Sequence, residues 1–556
     1  MPAIHSKDVQ HHPLYREGRR GFSSIAEYCD FMPVLLERLL EAPELAVKTP
    51  DGAARTISVL HNLVRLFARG INVSTSYSGL GVPEIVFSAL HSALKQLHPQ
   101  FVADGHLEAA EYIGALLVEA CELKPQARDV LRSHATPSGH VFENIMHKLN
   151  KRCVKLIDDI CKNVDMPKAK NKDVTHEEAA QVYSDLKDFL MEVEPRLFRK
   201  GRRAQCHMHN QKCLLWEQGG GAMEIVVAGA TCKDFSRLNK WRKGHHGQSG
   251  RVFLVFLLEQ KVRRPQCVFL ECTPDQDLSI VYEILGELYN IETTVHCTSE
   301  CGIATHRRRR LTIMVLKPSG GGRYIFMGTL IGFKALFAAD IPEGVGAEMF
   351  LVAGDALVAR EQSELAVVWQ TTQRASWREM LDGSRHMRLS IFIEEFLTKE
   401  YGYEIEDVRK LSTAELQKLV RLHLGQVDRF CDLDTAPNWS GTPVDYMPCA
   451  TTHNVFYAIN ADRVVMTDEQ LLSHGISLFE HVPTPSGPAF DPVVWEAIPI
   501  AKRKDMVGDS MNSFAMASFF AYVIGHLIPV EECVSQEFAC TDCESHASSS
   551  AKRHRA

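Results

Sequence analysis

IVVAGATCKDFS, Ile225 to Ser236, is an apolar run that ends in small residues and at once presents a cysteine, Cys232, with Phe235 and Ser236 close behind. A strand that stops near Gly229 and hands a thiol to the next loop puts a nucleophile at the carboxyl edge of a sheet. Open α/β folds keep their active sites there. Working outward, CVFLECT ends a second apolar run in Glu271, and HRRRRLTIMVL opens a third with four arginines, Arg307 to Arg310. Thiol, carboxyl and guanidinium, delivered in that order at strand ends, suit attack on an electron-poor heterocycle. Strand alternation lets only every second arginine share a face, so the working pair is Arg307 with Arg309 or Arg308 with Arg310. Counting from Gly302 puts the first pair forward; counting back from Leu311 puts forward the second.

Upstream, INVSTSYSGLGVPE (Ile71 to Glu84) reads as a strand followed by a tight turn in which Gly79 and Gly81 let a ligand approach the backbone. IGALLVEACELKP is a second strand ending in Glu122, and GHVFENI is a third carrying Asn144. A carboxylate at the end of the second strand is the device by which dinucleotide folds hold ribose hydroxyls.

The order and spacing of these segments resemble the cytosine-specific DNA methyltransferases that methylate carbon 5. In that family a Pro-Cys loop carries the nucleophile, a Glu-Asn-Val strand end the acid, and a Gln-x-Arg-x-Arg strand start the supporting arginines. Thr231-Cys232, Glu271-Cys272-Thr273 and Arg307 to Arg310 stand in those places. The turn at Tyr77, Ser78, Gly79 and Gly81 resembles the family's Phe-x-Gly-x-Gly loop for S-adenosylmethionine, with Thr75 where an acid is usual. By the same resemblance Glu122 bonds the ribose and Asn144 stands where an aspartate reads the adenine amino group. Near the carboxyl end, Met447 to Ile476 is similar to the family's penultimate block through Arg463, Thr467, Glu469 and Gly475. The segment VGDSMNSFAMASFFAYVIGHL resembles the Gly-Asn-Ser stretch that returns to the cofactor, with Gly508 and with Asp509 in place of asparagine.

The resemblance implies a Rossmann-like α/β fold with a second, smaller target-recognition domain. It implies S-adenosylmethionine as cofactor, double-stranded DNA as partner and a nuclear setting, with RNA as the alternative substrate and a catalytically impaired nucleic-acid-binding relative as a third reading. The implied chemistry joins Cys232 to carbon 6 of an extruded cytosine while Glu271 serves the ring nitrogen and an arginine holds the carbonyl.

Composition sets outer bounds. The 556 residues suffice for two or more domains, no run reaches the length of a membrane span, and the amino terminus lacks a signal-peptide pattern. A monomer is expected. Sixteen scattered cysteines suit a reducing compartment. A net charge of −7 leaves phosphate binding to local patches: Arg199 to Arg203, Lys240-Trp241-Arg242-Lys243 just past the cysteine loop, and Lys261 to Arg264. The first and last of these also read as solvated helix ends.

Cys206, His207, His209 and Cys213 could supply three or four metal ligands, as could Cys533, Cys540, Cys543 and His546, but neither spacing is a common finger pattern and no metal is expected.

The expected divisions are a helical extension over 1–70, a catalytic core over 71–320 with an insertion at about 150–221, and a target-recognition region over 321–445 opened by a hinge at PSGGGR. The core returns over 446–530, before a polar tail over 531–556. Arg251 to Gln260 and Leu278 to Tyr289 read as crossover helices.

Overall fold

In the computed structural model the described residues are 6–49, 52–105, 111–135, 137–161, 176–198, 203–215, 222–230, 234–235, 244–371 and 487–533, with 398–399, 402–404, 430–432, 446–450, 456–458, 461, 463–482 and 484 between the last two blocks. Nine strands of these form one sheet. In chain order they are β1 (Ile71–Ser76), β2 (Ala115–Cys121), β3 (His140–Phe142), β4 (Arg203–Cys206), β5 (Gln211–Leu214), β6 (Met223–Gly229), β7 (Cys267–Cys272), β8 (Tyr289–Cys297) and β9 (Arg308–Leu316). Their order across the sheet is β8-β9-β7-β6-β1-β2-β3-β4-β5.

From β3 through β2, β1 and β6 to β7 the pairing is parallel, whereas β9 lies antiparallel between β7 and β8. The chain leaves β1 in one direction for β2 and β3, then returns to the other side for β6 and β7. The crevice between the carboxyl ends of β1 and β6 is therefore the topological switch point, where a doubly wound sheet binds its ligand. This is the Rossmann-like α/β sheet expected from the sequence.

The central strands are largely buried because both faces are covered, and a polar residue inside them, such as Glu119, is held by an ion pair. Alternate residues of β6 enter different cores: Ile225 and Val227 join the one that holds helices α1 (Val59–Arg69), α2 (Val82–Ala103) and α6 (Ser513–Gly525), while Val226 and Ala228 join the one that holds α4 (Gln248–Arg263) and α5 (Ser279–Leu285). Helix α3 (Pro125–Arg132) follows β2. No helix among the described residues is long and apolar enough to cross a membrane.

Several boundaries differ from expectation. The first 70 residues are helical at Met32–Leu40 and α1, but a hairpin, Leu45–Lys48 with Ala54–Ile57, separates the two. Its turn uses Gly52 at φ +87°, a left-handed conformation that glycine adopts freely. The insertion supplies helices Lys151–Cys161 and His176–Leu197 and then β4 and β5, which extend the core sheet by two strands. PSGGGR is not a hinge out of the core: beyond a short helical turn, Tyr324–Phe326 pairs antiparallel with Leu527–Pro529, and Leu330–Phe337 buries its apolar side against α6. A single break in composition could not show that the chain re-enters the same core. The crossover helices run Gln248–Arg263 and Ser279–Leu285, and Tyr289 opens β8.

Candidate active site

The glycine turn follows β1 directly. Tyr77, Gly79 and Gly81 all have positive φ, at +58°, +56° and +81°. A Cβ at Gly81 would strike the His134 ring, whereas one at Gly79 would meet no atom within 4 Å among the described residues beyond its chain neighbours. Glu122, buried at the end of β2, reaches into this turn: its Oε2 accepts from Gly79 N at 2.8 Å and its Oε1 from Lys124 N at 2.8 Å. A carboxylate offers about four lone-pair sites, so two amides leave acceptor capacity. The Tyr77 ring stands edge-on to Phe256 at 6.0 Å, and its hydroxyl is buried with no partner among the described residues.

Ser78 and Thr75 share a 2.7 Å hydrogen bond between hydroxyls, and Thr75 also donates to Glu84 Oε1. Burial pushes the Glu84 carboxyl up to about 7 despite the bonds from Thr75, its own amide and Ser78. The acid missing at position 75 is thus replaced in space by a carboxyl one helical turn into α2.

Asn144 is half-buried and spends its side-chain oxygen on Met146 N at 2.9 Å, capping a short 3₁₀ turn. Gly508 and Asp509 end a helix, Ile500–Asp509. Asp509 Oδ2 lies 2.5 Å from Lys124 Nζ, so it meets the Glu122 loop through an ion pair. The residue that turns the chain into α6 is instead Asn512. It caps that helix by accepting from Ala515 N at 3.0 Å, and it donates to the Tyr28 hydroxyl at 2.7 Å. The pair Asn512-Ser513 repeats the Asn-Ser of the family segment three residues beyond Asp509, a signal that the sequence itself carries.

On the other side of the switch point, Gly229 pairs with Glu271 in register, and Ala230 N donates to Glu271 O at 3.1 Å. Cys232 itself lies outside the described residues, as do Lys240, Trp241, Arg242 and Lys243. The two ends of their loop are fixed: Gly244 N donates to Asp234 O at 2.8 Å, and Asp234 Oδ2 accepts from Ser249 N at 3.0 Å.

Glu271 is buried, and Arg309 Nε stands 2.9 Å from its Oε1, an ion pair whose N–H is not aimed along a hydrogen bond. With Arg307, His296, Thr298 and Asn512 these two line a small cavity.

Of the four arginines, Arg307 and Arg309 share the face that lines this cavity. Arg310 turns away to the Pro274 carbonyl at 2.5 Å, and Arg308 is exposed. Arg307 and Arg309 do different things, however. Arg307 is buried and donates to the carbonyls of Ser510 and, at 3.4 Å, Ala450, tying two distant segments to the strand start. Arg309 alone of the two faces Glu271.

Both guanidiniums also reach Cys449, at 3.4 Å from Arg307 and 3.7 Å from Arg309. Burial alone would raise this thiol, but Arg309 and Arg307 outweigh it and hold the Cys449 pKa below its ordinary value. Burial, reinforced by the same charges, keeps His474 neutral well below the usual imidazole range. Sequence reasoning missed Cys449, although it follows a proline, Pro448, as the family's nucleophile does.

One basic patch changes character. Arg263 is buried in an ion network with Glu119 and Glu224, and Lys261 pairs with Glu194 at 2.8 Å, so Lys261 to Arg264 is no free surface patch. Of Arg199 to Arg203, only Arg203 is described; it opens β4.

No family profile matches the chain, and no curated protein matches it. Among solved structures it is similar to a putative DNA modification methyltransferase encoded within an E. coli prophage, at 12% identity and TM-score 0.37 over 82% of this chain and 98% of that one. The S. pombe Dnmt2 methyltransferase gives 10% identity and TM-score 0.37 over the same shares. The Entamoeba histolytica methyltransferase EhMeth gives 10% and 0.35, again over 82% and 98%.

Proposed function

We propose that the chain transfers a methyl group from S-adenosylmethionine to carbon 5 of cytosine in duplex DNA. The observation that carries this reading is the pairing of Glu271 with Arg309 at strand ends beside the switch point, next to the end of β6 at Gly229 and across the crevice from the Gly79–Glu122 contact; in sequence Cys232 follows that strand end by three residues. The cofactor's proposed holders are Tyr77, Ser78, Gly79, Gly81 and Glu122, with Asn144 and the Gly508-Asp509 helix end at the rim. The open space at Gly79 and the spare acceptor sites of Glu122 suit a ribose. Bound there, S-adenosylmethionine supplies an electrophilic methyl on a sulfonium.

The chain's own groups supply the rest. Carbon 5 of cytosine is a poor nucleophile. Attack of the Cys232 thiolate on carbon 6 moves the ring electrons toward the nitrogen that Glu271 protonates, and carbon 5 becomes an enamine carbon. Once carbon 5 is methylated, a water molecule takes its proton, the electrons return to the carbon 5–carbon 6 bond and expel the thiolate, and the ring nitrogen gives its proton back to Glu271. Arg309 holds the Glu271 carboxyl in position and faces the base carbonyl; Arg307 fixes the strand start that presents Arg309. A ring face is not reachable in a duplex, so the nucleotide must be extruded into this pocket.

A second reading is favoured by one observation: the thiol that the two arginines bias toward thiolate is Cys449. A duplex carrying 5-fluorocytosine separates the two, because the fluorine blocks the final proton loss and leaves the enzyme attached. Peptide mapping should find the adduct on Cys232, and Cys232→Ser should abolish both trapping and turnover. An adduct on Cys449 would move the nucleophile there. Parallel assays of methyl transfer to duplex DNA and total RNA test the substrate, and transfer to RNA alone would overturn the DNA reading.

A further inference from the structure

The hairpin β4–β5 holds a cluster that the proposed reaction does not use. Cys206 on β4, His209 in the turn, Cys213 on β5 and His140 at the start of β3 bring one ligand atom each to within 4.8 Å of one another. The sulfur of Cys206 is 3.7 Å from His140 Nδ1 and 3.6 Å from His209 Nδ1, and that of Cys213 is 3.4 Å from His209 Nδ1. A sulfur at about 2.3 Å and a nitrogen at about 2.05 Å from a common tetrahedral centre stand about 3.6 Å apart. A lone thiol–imidazole hydrogen bond reaches the same spacing, as between Cys301 and His296 at 3.3 Å; what sets this cluster apart is that four ligand atoms, two sulfurs and two ring nitrogens, converge on one point.

We propose that these four residues form a structural zinc site that staples the β4–β5 hairpin to the edge of the core sheet. Two thiolates and two neutral imidazoles balance a divalent ion and match the soft, tetrahedral preference of zinc over oxygen-seeking cations. Four protein ligands leave no position open for substrate, so the site is structural rather than catalytic. Cys206 and Cys213 are both buried, which keeps the two sulfurs away from competing water.

The need for a staple is visible in the sheet. The hairpin joins β3 through the single register pair Phe142 with Cys206 and through His207 N to Val141 O at 2.8 Å. His207, adjacent in sequence, is not a ligand: it lies outside the cluster, with its Nε2 buried and unpartnered among the described residues. Local spacing could not select the set, because its fourth member comes from 66 residues upstream of Cys206.

The test is metal analysis of the full chain, purified reduced after growth with added zinc. Wild type and His207→Ala should each carry about one zinc per chain. Cys206→Ser, Cys213→Ser and His140→Ala should each lose most of it. Because those variants could lose metal by unfolding, cobalt is loaded into reduced wild-type protein as an independent readout. The expected spectrum has thiolate-to-cobalt charge transfer and the intense visible bands of a tetrahedral ion. Failure of cobalt-loaded wild type to show a thiolate–cobalt band would overturn the proposal, as would loss of zinc from His207→Ala equal to that from Cys213→Ser. The outcome does not depend on whether the chain methylates anything.

Discussion

Arg307 and Arg309 share a strand face and a sulfur neighbour, yet their surroundings assign them different work. Arg309→Ala removes the partner of Glu271 while leaving the clamp intact, so turnover should fall at least about a hundredfold, with a loss of stability smaller than that of Arg307→Ala because the Arg309 side chain is partly exposed and water can reach the carboxyl it leaves. Arg307→Ala removes the guanidinium that donates to the buried carbonyls of Ser510 and Ala450, the second of which keeps only a weak thiol donor, and should cost about 3 kcal/mol of folding stability. Denaturant titration beside kinetic assay separates the two effects, and equal loss of stability in both variants would refute the division. Thr75 poses a related question. Replacing it with aspartate looks like repair of the family pattern, but Glu84 already fills that space. Two carboxyls in contact repel, so Thr75→Asp should weaken S-adenosylmethionine binding in calorimetry, and Thr75→Asp with Glu84→Gln should recover it.

At the scale of elements, strand ends are the legible part of this chain. Apolar runs closing in Gly229, Glu271 and Glu122 announce β6, β7 and β2 because a strand covered on both faces is mostly apolar, its few inner polar residues, such as Glu119, needing a buried partner. What stays hidden depends on contacts between distant segments. The sequence cannot choose between the arginine pairs, since both counts are consistent with alternation and only the register with β7 and β8 decides. Nor can it show that Tyr324–Phe326 returns to pair with Leu527–Pro529. The carboxyl-terminal turn is readable, but matching it at Asp509 places it three residues early. Asn512→Ala deletes a helix cap and a buried bond to Tyr28 and should cost about 1–3 kcal/mol. Asp509→Asn weakens only the half-exposed pair with Lys124 and should cost less than about 1 kcal/mol. Equal melting temperatures for the two variants would restore Asp509 to the role that the family pattern implies.

For the whole molecule, charge is the property that connects folding to the proposed substrate. Burial raises both Glu84 and Glu361 to about 7 from an ordinary 4.5, so the native state keeps two protons that the unfolded chain releases. Between those values the unfolded state binds fewer protons, and stability should decline as pH rises from about 4.5 to about 7 on their account. Glu361→Gln should flatten that decline in melting experiments. An unchanged pH profile would mean that Glu361 is ionised in the fold.

A net charge of −7 opposes diffuse attraction to DNA, so a duplex must be captured by a local patch. In sequence Lys240, Arg242 and Lys243 follow the proposed nucleophile and lie between Asp234 and Gly244, which are hydrogen-bonded to each other. Neutralising all three should flatten the dependence of log affinity on log salt by about one unit for each phosphate left without its cation. The comparison cannot be the triple at Lys261, Arg263 and Arg264, because removing Arg263 would strand buried Glu119 and Glu224 and perturb the fold. Lys261→Gln alone is the proper control, since its charge is already answered by Glu194 on the far side of α4, and it should leave the slope unchanged. An equal change in both would mean that the duplex is held by scattered charge and not by a groove beside the cysteine loop. A wild-type slope near zero would mean that no phosphate backbone is bound there.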